Sequence, residues 1–430
     1  MLEIYFETYG CTANQNSSEI MKGIVRQAGL NLTSNLDIAD LVVINSCIVK
    51  EPTQEKIRAR VFELLKKHKK IILAGCMPRL NQEFLQYENL YLLDSSKIKK
   101  ITDLIQAIQN KEYDEGDYLN KSNEVKLNLP KINNEKFVGI TQISEGCLGN
   151  CAYCIVKAAK GKLFSYPQKK IIESIKKDIE NNCREIWITS QDNAAYGNEY
   201  GEHSLIELLK EILKIKGNFK VRLGMMNPNN VLEILPELVE IFKNKKMFRF
   251  LHIPIQSGSD KILKLMKRKY SSKDVLKIVK KFRENIPDIT IATDIIGGFP
   301  GEGDLDWVQT IDLVKKIKPE ILNRSNFGVR PGTYAEELAK KNPVSPEKIK
   351  ERAKEIMGIH LGICKEIQEE YFGKEVKVFI DKKGFQNTWL GRTDNYKLVA
   401  VYSTKNLLGK TLEVKIKKLL PHYLMGELFD

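Results

Sequence analysis

Two uninterrupted apolar runs, LVVINS at Leu41–Ser46 and IILAG at Ile71–Gly75, set the tightest limit on what this chain can fold into. Each has the length of a strand and neither leaves a polar face, the pattern of strands buried on both sides of a parallel sheet. A charged segment of helical length, from about Thr53 to His68, lies between them. Upstream, LEIYFET reads as a further strand, and NSSEIMKGIVRQAG places Ile20, Ile24 and Val25 at helical spacing before Gly29 closes it. LYLLDSS and KIKKITDLIQAIQN continue the alternation. This order predicts an open parallel α/β domain over residues 1–115.

The stretch 111–136 is polar and aperiodic, so a linker is placed at 116–136. From Phe137 the alternation resumes, with strand candidates FVGITQIS, EIWITS, FKVRLGMM, FRFLHIPIQ, TIATDIIGG and ILNRSNFGV separated by helical stretches. Six or more βα repeats predict a full or partial (β/α) barrel over 137–370, ended by the helix EKIKERAKEIMGIHLGICKEIQEEYF. Residues 371–430 change character: VKVFID, NTWLGRT, YKLVAVY and TLEVKIKKLL are short strands between Gly and Asn turns, predicting a small all-β barrel.

Composition narrows the class. No uncharged apolar run of about eighteen residues occurs, so no membrane span is expected. The opening MLEIYFETYG carries acids where a signal peptide has a basic segment and an apolar core, so a cytoplasmic protein is expected. Eight cysteines in 430 residues are too sparse for a secreted disulfide scaffold; clustered cysteines in a reducing compartment bind metal or do chemistry. Cys183 and Cys364 stand alone and read as buried bystanders. The formal charge is +14, and residues 371–430 hold 11 basic against 6 acidic side chains. Such a surplus attracts phosphate backbones or merely clothes a solvated surface.

Cys147, Cys151 and Cys154 form C-x3-C-x2-C directly after the strand candidate FVGITQIS. Three thiolates at this spacing suit an iron–sulfur cluster or zinc. A structural zinc site wants a fourth ligand, and neither Cys nor His lies between Cys154 and Cys183. Three ligands on a four-iron cluster leave one iron open for chemistry; inert thiols are the remaining alternative. Cys11, Cys47 and Cys76 are distant in sequence, yet each stands just past a strand candidate. In a parallel sheet those ends share one edge, which would bring the three thiols together; the alternative is buried cysteines that merely lie near strands. Ser190, Gln191 and Asp192 end EIWITS, His252 and Gln256 flank another strand end, and Gly297, Gly298 and Gly301 follow TIATDII. Strand-end placement puts all of them in range of a bound cofactor, while the glycines serve equally as a tight turn.

The segment EGCLGNCAYC resembles the signature of radical S-adenosylmethionine (SAM) enzymes, and nearly the whole chain resembles the methylthiotransferases among them. The residues that carry this are YGCTANQNSSE, NSC, GC, EGCLGNCAYC, SQD-x3-YG (Ser190 to Gly197), HIPIQSGSD, DIIGGFPGE and RPGT (Arg330 to Thr333). The end of the chain, GRTDNYKLVAV through VKIKKLLPHYLMGEL, is similar to the TRAM domain of RNA-modifying enzymes.

The resemblance implies SAM and two [4Fe-4S] clusters. One, on Cys147, Cys151 and Cys154, cleaves SAM to a 5′-deoxyadenosyl radical; the other, on Cys11, Cys47 and Cys76, carries or delivers sulfur. It implies SAM contacts from Ser190, Gln191, Asp192, His252, Gln256, Gly297 and Gly298. Lys160 joins them with a reservation: Lys160-Gly161 stands where many members have Arg-Gly, so the bidentate fork is missing. External electron and sulfur donors and a monomeric state are further expectations.

RPGT with CAYCIVKAAKG most resembles the archaeal and eukaryotic branch, which converts N6-threonylcarbamoyladenosine at position 37 of tRNA, next to the anticodon, to its 2-methylthio form. Sister branches act on isopentenyladenosine in tRNA or on a ribosomal-protein aspartate. The basic barrel would then grip the tRNA anticodon stem-loop, with Phe385, Trp389 and Tyr396 either stacking on bases or filling the barrel core. The membrane tail of eukaryotic relatives is not expected, as the chain stops at YLMGELFD. A reading of a different class is a non-catalytic RNA-binding protein with structural metal sites.

Overall fold

The structure, a computed structural model, describes residues 2–429. Its first domain is a parallel sheet of β1 (Glu3–Thr8), β2 (Asn31–Thr33), β3 (Leu41–Ser46), β4 (Lys70–Gly75) and β5 (Leu90–Asp94), in the order β2-β1-β3-β4-β5. On β3, Val42 and Ile44 pack with Ile57, Val61 and Leu64 of the helix Glu51–Lys66. Leu41 and Val43 pack with Ile20, Met21 and Val25 of the helix Thr12–Gln27 on the other face. Successive side chains of a strand point to opposite faces, so a strand covered twice has no polar positions. The strand order reverses between β1 and β3, and such a reversal opens a crevice at the carboxyl ends.

The segment 116–136 is a packed strap. Lys126 and Leu127 are buried, and the Ile132 N–H donates to the Glu19 carbonyl at 3.0 Å. Gly23 lets the helix Thr12–Gln27 meet this strap, since a Cβ there would come within 2.3 Å of the Pro130–Lys131 backbone.

The second domain contributes β6 (Val138–Gln142), β7 (Ser144–Glu145), β8 (Phe164–Ser165), β9 (Glu185–Thr189), β10 (Lys220–Leu223), β11 (Phe250–His252), β12 (Thr290–Gly297) and β13 (Ile321–Asn326). Two parallel sheets, β10-β9-β6 and β11-β12-β13, join through a bridge between Val221 and Met247. The result is a partial (β/α) barrel of six strands in chain order. The two-residue strands β7 and β8 pair antiparallel and close the loop that holds Cys147, Cys151 and Cys154.

The third domain is a closed barrel, β14 (Glu375–Lys383), β15 (Thr388–Arg392), β16 (Leu398–Tyr402), β17 (Thr411–Leu420) and β18 (Tyr423–Leu428), in the order β14-β15-β16-β18-β17. Sequence patterning picks out four of these strands. The fifth, β18, closes the barrel by pairing parallel to β16 and antiparallel to β17. This domain docks on the amino ends of β11 and β12: the Arg249 N–H donates to the Asp394 carbonyl at 2.9 Å, and Tyr396 packs with Phe248, Phe250 and Ala292. The cysteine loop follows the carboxyl end of β6, at the other end of the partial barrel. Among the described residues no helix is long and apolar enough to cross a membrane.

Candidate active site

The loop between β7 and β8 owes its shape to glycine. Gly146 has φ +80°, and a Cβ there would lie 2.0 Å from the Lys162 carbonyl oxygen. The N–H of Gly149 donates to Cys147 Sγ at 3.2 Å, and a Cβ on Gly149 would stand 3.2 Å from Cys147 Sγ and 3.7 Å from Cys151 Sγ. The loop thus folds around its own sulfurs. Burial pushes the thiols of Cys147 and Cys154 up, Cys154 to about 11. Arg268 donates from Nη1 to Cys151 Sγ at 2.8 Å, from Nε to the Tyr270 hydroxyl at 3.0 Å, and from Nη2 to Asn227 Oδ1.

Gln191 and Asp192 act on this centre in two different ways. Gln191 Oε1 accepts from the Gly146 N–H at 2.7 Å and braces the cysteine loop. Asp192 is buried and accepts from the Asn227 N–H at 3.0 Å and from Asn230 Nδ2 at 2.7 Å, which anchors the residue that orients Arg268. Both of its oxygens are therefore engaged within the protein. The Ser190 hydroxyl is buried without a hydrogen-bond partner, as are Gln142 Oε1 and Ser144 Oγ near the end of β6. Buried polar atoms are nearly always paired, so these three fit a polar ligand at the carboxyl ends of β6 and β9.

His252 lies on β11 with Nε2 2.7 Å from Asp294 Oδ2, and Gln256 adopts φ +71° beside β12. Gly298 has φ +78°, and its N–H donates to Glu302 Oε2 at 2.7 Å. The space its Cβ would need is filled by Ile349, 2.4 Å away, so the close approach this glycine permits is to a helix of its own chain. Gly297 faces Trp307, and the Gly301 N–H donates to the carbonyl of Asn342, at the end of a later helix, at 3.0 Å.

Cys11, Cys47 and Cys76 follow β1, β3 and β4, three adjacent strands of the first sheet. Gly10, with φ +103°, presses on Cys47: a Cβ would meet Cys47 Sγ at 2.8 Å. Asn14 donates to the carbonyls of Tyr9 at 2.9 Å and Ser46 at 2.8 Å, tying the ends of β1 and β3, and its Oδ1 lies 3.9 Å from Cys76 Sγ. Burial raises the Cys47 thiol and pushes Cys76 up to about 12. Among the described residues no three His, Cys, Asp or Glu side chains are drawn in tightly enough for a single metal ion. A four-iron cluster spreads its ligands more widely, and an all-thiol donor set suits it.

The two cysteine groups adjoin. The short helix Val156–Lys160 starts two residues after Cys154, and Ile155 and Ala159 pack in one apolar cluster with Cys47, Cys76 and Met77. Lys160 is buried and donates to Glu145 Oε1 at 3.0 Å, and the other ionisable groups it faces most strongly are Cys76 and Cys11. Its ammonium therefore lies on the side of the N-terminal thiols. Glu145 Oε2 also accepts from the buried Lys126 at 2.6 Å. Arg268, Asn227 and Lys126 carry no motif that patterning could single out, and Glu145 enters the sequence reading only as the first residue of EGCLGNCAYC. Arg330, noted only within RPGT, ties the second domain to the first by donating to Gln54 Oε1 at 2.7 Å and the Val49 carbonyl at 3.1 Å. Cys183 and Cys364 are buried and form no disulfide.

Comparison with known proteins agrees with this geometry. The radical SAM superfamily model matches residues 141–314, the uncharacterized protein family UPF0004 matches 3–92, and the TRAM domain matches 369–429. Among solved structures, a radical S-adenosylmethionine methyltransferase, TsrM, from Kitasatospora setae superposes with a TM-score of 0.58 at 13% identity, over 79% of this chain and 75% of its own. The partial barrel with its cysteine loop is thus a radical SAM domain, a class that uses SAM and a [4Fe-4S] cluster. The "Probable threonylcarbamoyladenosine tRNA methylthiotransferase" of Pyrococcus abyssi is 38% identical over the full length of both chains. The human threonylcarbamoyladenosine tRNA methylthiotransferase is 33% identical over 99% of this chain and 74% of its own. The chain belongs to the threonylcarbamoyladenosine tRNA methylthiotransferase family.

Proposed function

We propose that this enzyme replaces the C2 hydrogen of N6-threonylcarbamoyladenosine at position 37 of tRNA with a methylthio group. The observation that carries this reading is the closeness of two three-cysteine sites across one short helix: Ile155 and Ala159, on the segment that follows Cys154, share an apolar cluster with Cys47 and Cys76. One site alone would serve many radical reactions, whereas a second thiol site beside it gives sulfur a place to wait.

Cys147, Cys151 and Cys154 would hold the cluster that binds SAM, and Cys11, Cys47 and Cys76 a second [4Fe-4S] cluster. When bound, these groups supply a radical able to take hydrogen from an unreactive carbon, chemistry beyond acid–base side chains. The protein's part is placement. Gly146 and Gly149 shape the loop, Gln191 braces it, and Asp192 and Asn227 orient Arg268. Arg268 is the cation at the centre suited to a ligand carboxylate, while Ser190, Gln142 and Ser144 offer unpaired polar atoms to the remainder of SAM. His252, Gln256 and Gly297 stand at strand ends for cofactor or base contacts, and Lys160 sits between the two sites.

The C-terminal barrel is the RNA grip. Trp389 and Tyr396 are buried, one in its core and one in the joint to the second domain, which leaves Phe385, 80% exposed, to stack on a base. Since this barrel docks at the far end of the partial barrel from the cysteines, the substrate must be an extended RNA such as an anticodon stem-loop. The enzyme works in the cytoplasm as a monomer, supplied with electrons and sulfur by external donors.

The test is turnover by anaerobically reconstituted enzyme on tRNA bearing threonylcarbamoyladenosine, with tRNA bearing isopentenyladenosine as comparison. Methylthiolation of the first alone supports the assignment; methylthiolation of the second alone overturns the substrate.

A further inference from the structure

Three charged groups, Lys126, Glu145 and Lys160, form a buried chain between the strap, strand β7 and the helix Val156–Lys160. Lys126 is 1% exposed, Lys160 4% and Glu145 6%. Two ammoniums and one carboxylate leave one positive charge uncompensated. A buried net charge persists only where an opposite charge faces it. Arg79 and Lys121 add further cations around this cluster, and Asp94 faces both of them. Lys126, Lys160, Arg79 and Lys121 thus outnumber Glu145 and Asp94 around this point. Lys160 spends one N–H on Glu145, and the other anion-forming groups it faces are the sulfurs of Cys76 and Cys11.

We propose that Lys160 is a positioning residue for the N-terminal thiol site: its buried ammonium, held in place by Glu145 and Lys126, offsets the negative charge of a cluster on Cys11, Cys47 and Cys76 and so raises that cluster's reduction potential. This rests on the second-cluster reading given above. Reduction adds an electron, and a fixed cation in a medium of low dielectric favours the more negative state. The same ammonium would hold an incoming anionic sulfur against that cluster. The helix carrying Lys160 begins just after Cys154, so the charge is built into the segment that joins the two sites.

The experiment is a redox titration, followed by electron paramagnetic resonance, of full-length protein reconstituted anaerobically, comparing the parent with Lys160→Gln, Lys160→Arg and Glu145→Gln. The expected result is a shift of one of two cluster signals to more negative potential in Lys160→Gln, near-parent behaviour in Lys160→Arg, and a shift to more positive potential in Glu145→Gln. Opposite signs from the two neutral variants cannot arise from loosened packing. Shifts of the same sign, no shift in Lys160→Gln with both clusters present, or iron loss alike in both neutral variants would each overturn the proposal. Parent protein that takes up about four irons instead of about eight would overturn the second-cluster reading beneath it, a result separable from the others by iron analysis alone.

Discussion

Arg268 sets its guanidinium 2.8 Å from the sulfur of Cys151 while Asn227, itself anchored by Asp192, holds the other arm of the fork. This cation beside Cys151 is thus fixed in direction before any ligand arrives. Arg268→Ala should reduce SAM cleavage roughly 100-fold or more, the range seen when one preorganised donor is removed. Arg268→Lys should recover only part, because an ammonium lacks the planar fork. Release of 5′-deoxyadenosine measures this, with tRNA affinity as the property that should not move.

The two cysteine groups should separate cleanly in mutagenesis. Cys151→Ala should lose SAM cleavage and about half of the iron, and retain the N-terminal cluster. Cys47→Ala should also lose about half of the iron, since each cluster holds four, yet still release 5′-deoxyadenosine while forming no methylthio product. Iron analysis beside product analysis distinguishes the two. Loss of all iron from either variant would mean one shared site.

Gly146→Ala tests the loop itself. A Cβ there meets the Lys162 carbonyl at 2.0 Å on a backbone of φ +80°, so both sterics and conformation oppose it. The variant should reconstitute poorly at the Cys147 site and cost on the order of 1–3 kcal/mol of stability. Gly29→Ala, at φ +79° with open space around it, controls for backbone conformation alone.

Where the strap crosses the first domain, Glu19 is buried beside Lys131, and burial raises its carboxyl to about 7. Asp178, which shares Lys131, is raised by burial as well. An acid raised in the folded state binds its proton more tightly there than in the unfolded chain. Its stabilising contribution is therefore full below the unfolded value near 4.5 and is lost as pH climbs through about 7. Glu19→Gln should leave stability at pH 5 nearly unchanged and raise it at pH 8, by up to ~3 kcal/mol. Thermal unfolding of the two proteins at both pH values reads the difference.

Phe385 is exposed where Trp389 is buried, so their truncations should part ways. Phe385→Ala should weaken tRNA binding by about 1–3 kcal/mol, the worth of one stacked base, with the fold intact. Trp389→Ala should destabilise the small barrel by about 3–5 kcal/mol. Binding by the parent should also fall as salt rises, as phosphate contacts require.

Much of this was readable from the chain. LVVINS announced a doubly covered strand, and three cysteines at the ends of LEIYFET, LVVINS and IILAG announced one edge, because strand direction alone puts those ends together. What escaped patterning was long-range. Arg268 lies in MKRKYSSK, where nothing separates it from solvated lysines until the fold carries it 117 positions back to Cys151. Lys126 hid in a polar stretch that patterning could call only a linker, because its partner Glu145 comes from another element. The glycines of DIIGGFPGE looked as suited to a cofactor as to a turn, and only packing showed Ile349 already beside Gly298. The strand β18 carries Gly426 in its interior, which blurs its alternation; its pairing with β16 and β17 makes it a strand.

The most direct measurement is nucleoside mass spectrometry of tRNA from cells with and without this gene. Loss of 2-methylthio-N6-threonylcarbamoyladenosine with accumulation of N6-threonylcarbamoyladenosine, restored by the parent gene and not by a Cys151→Ala copy, is the expected result. An unchanged level of the methylthio nucleoside in the deletion strain would contradict the assignment.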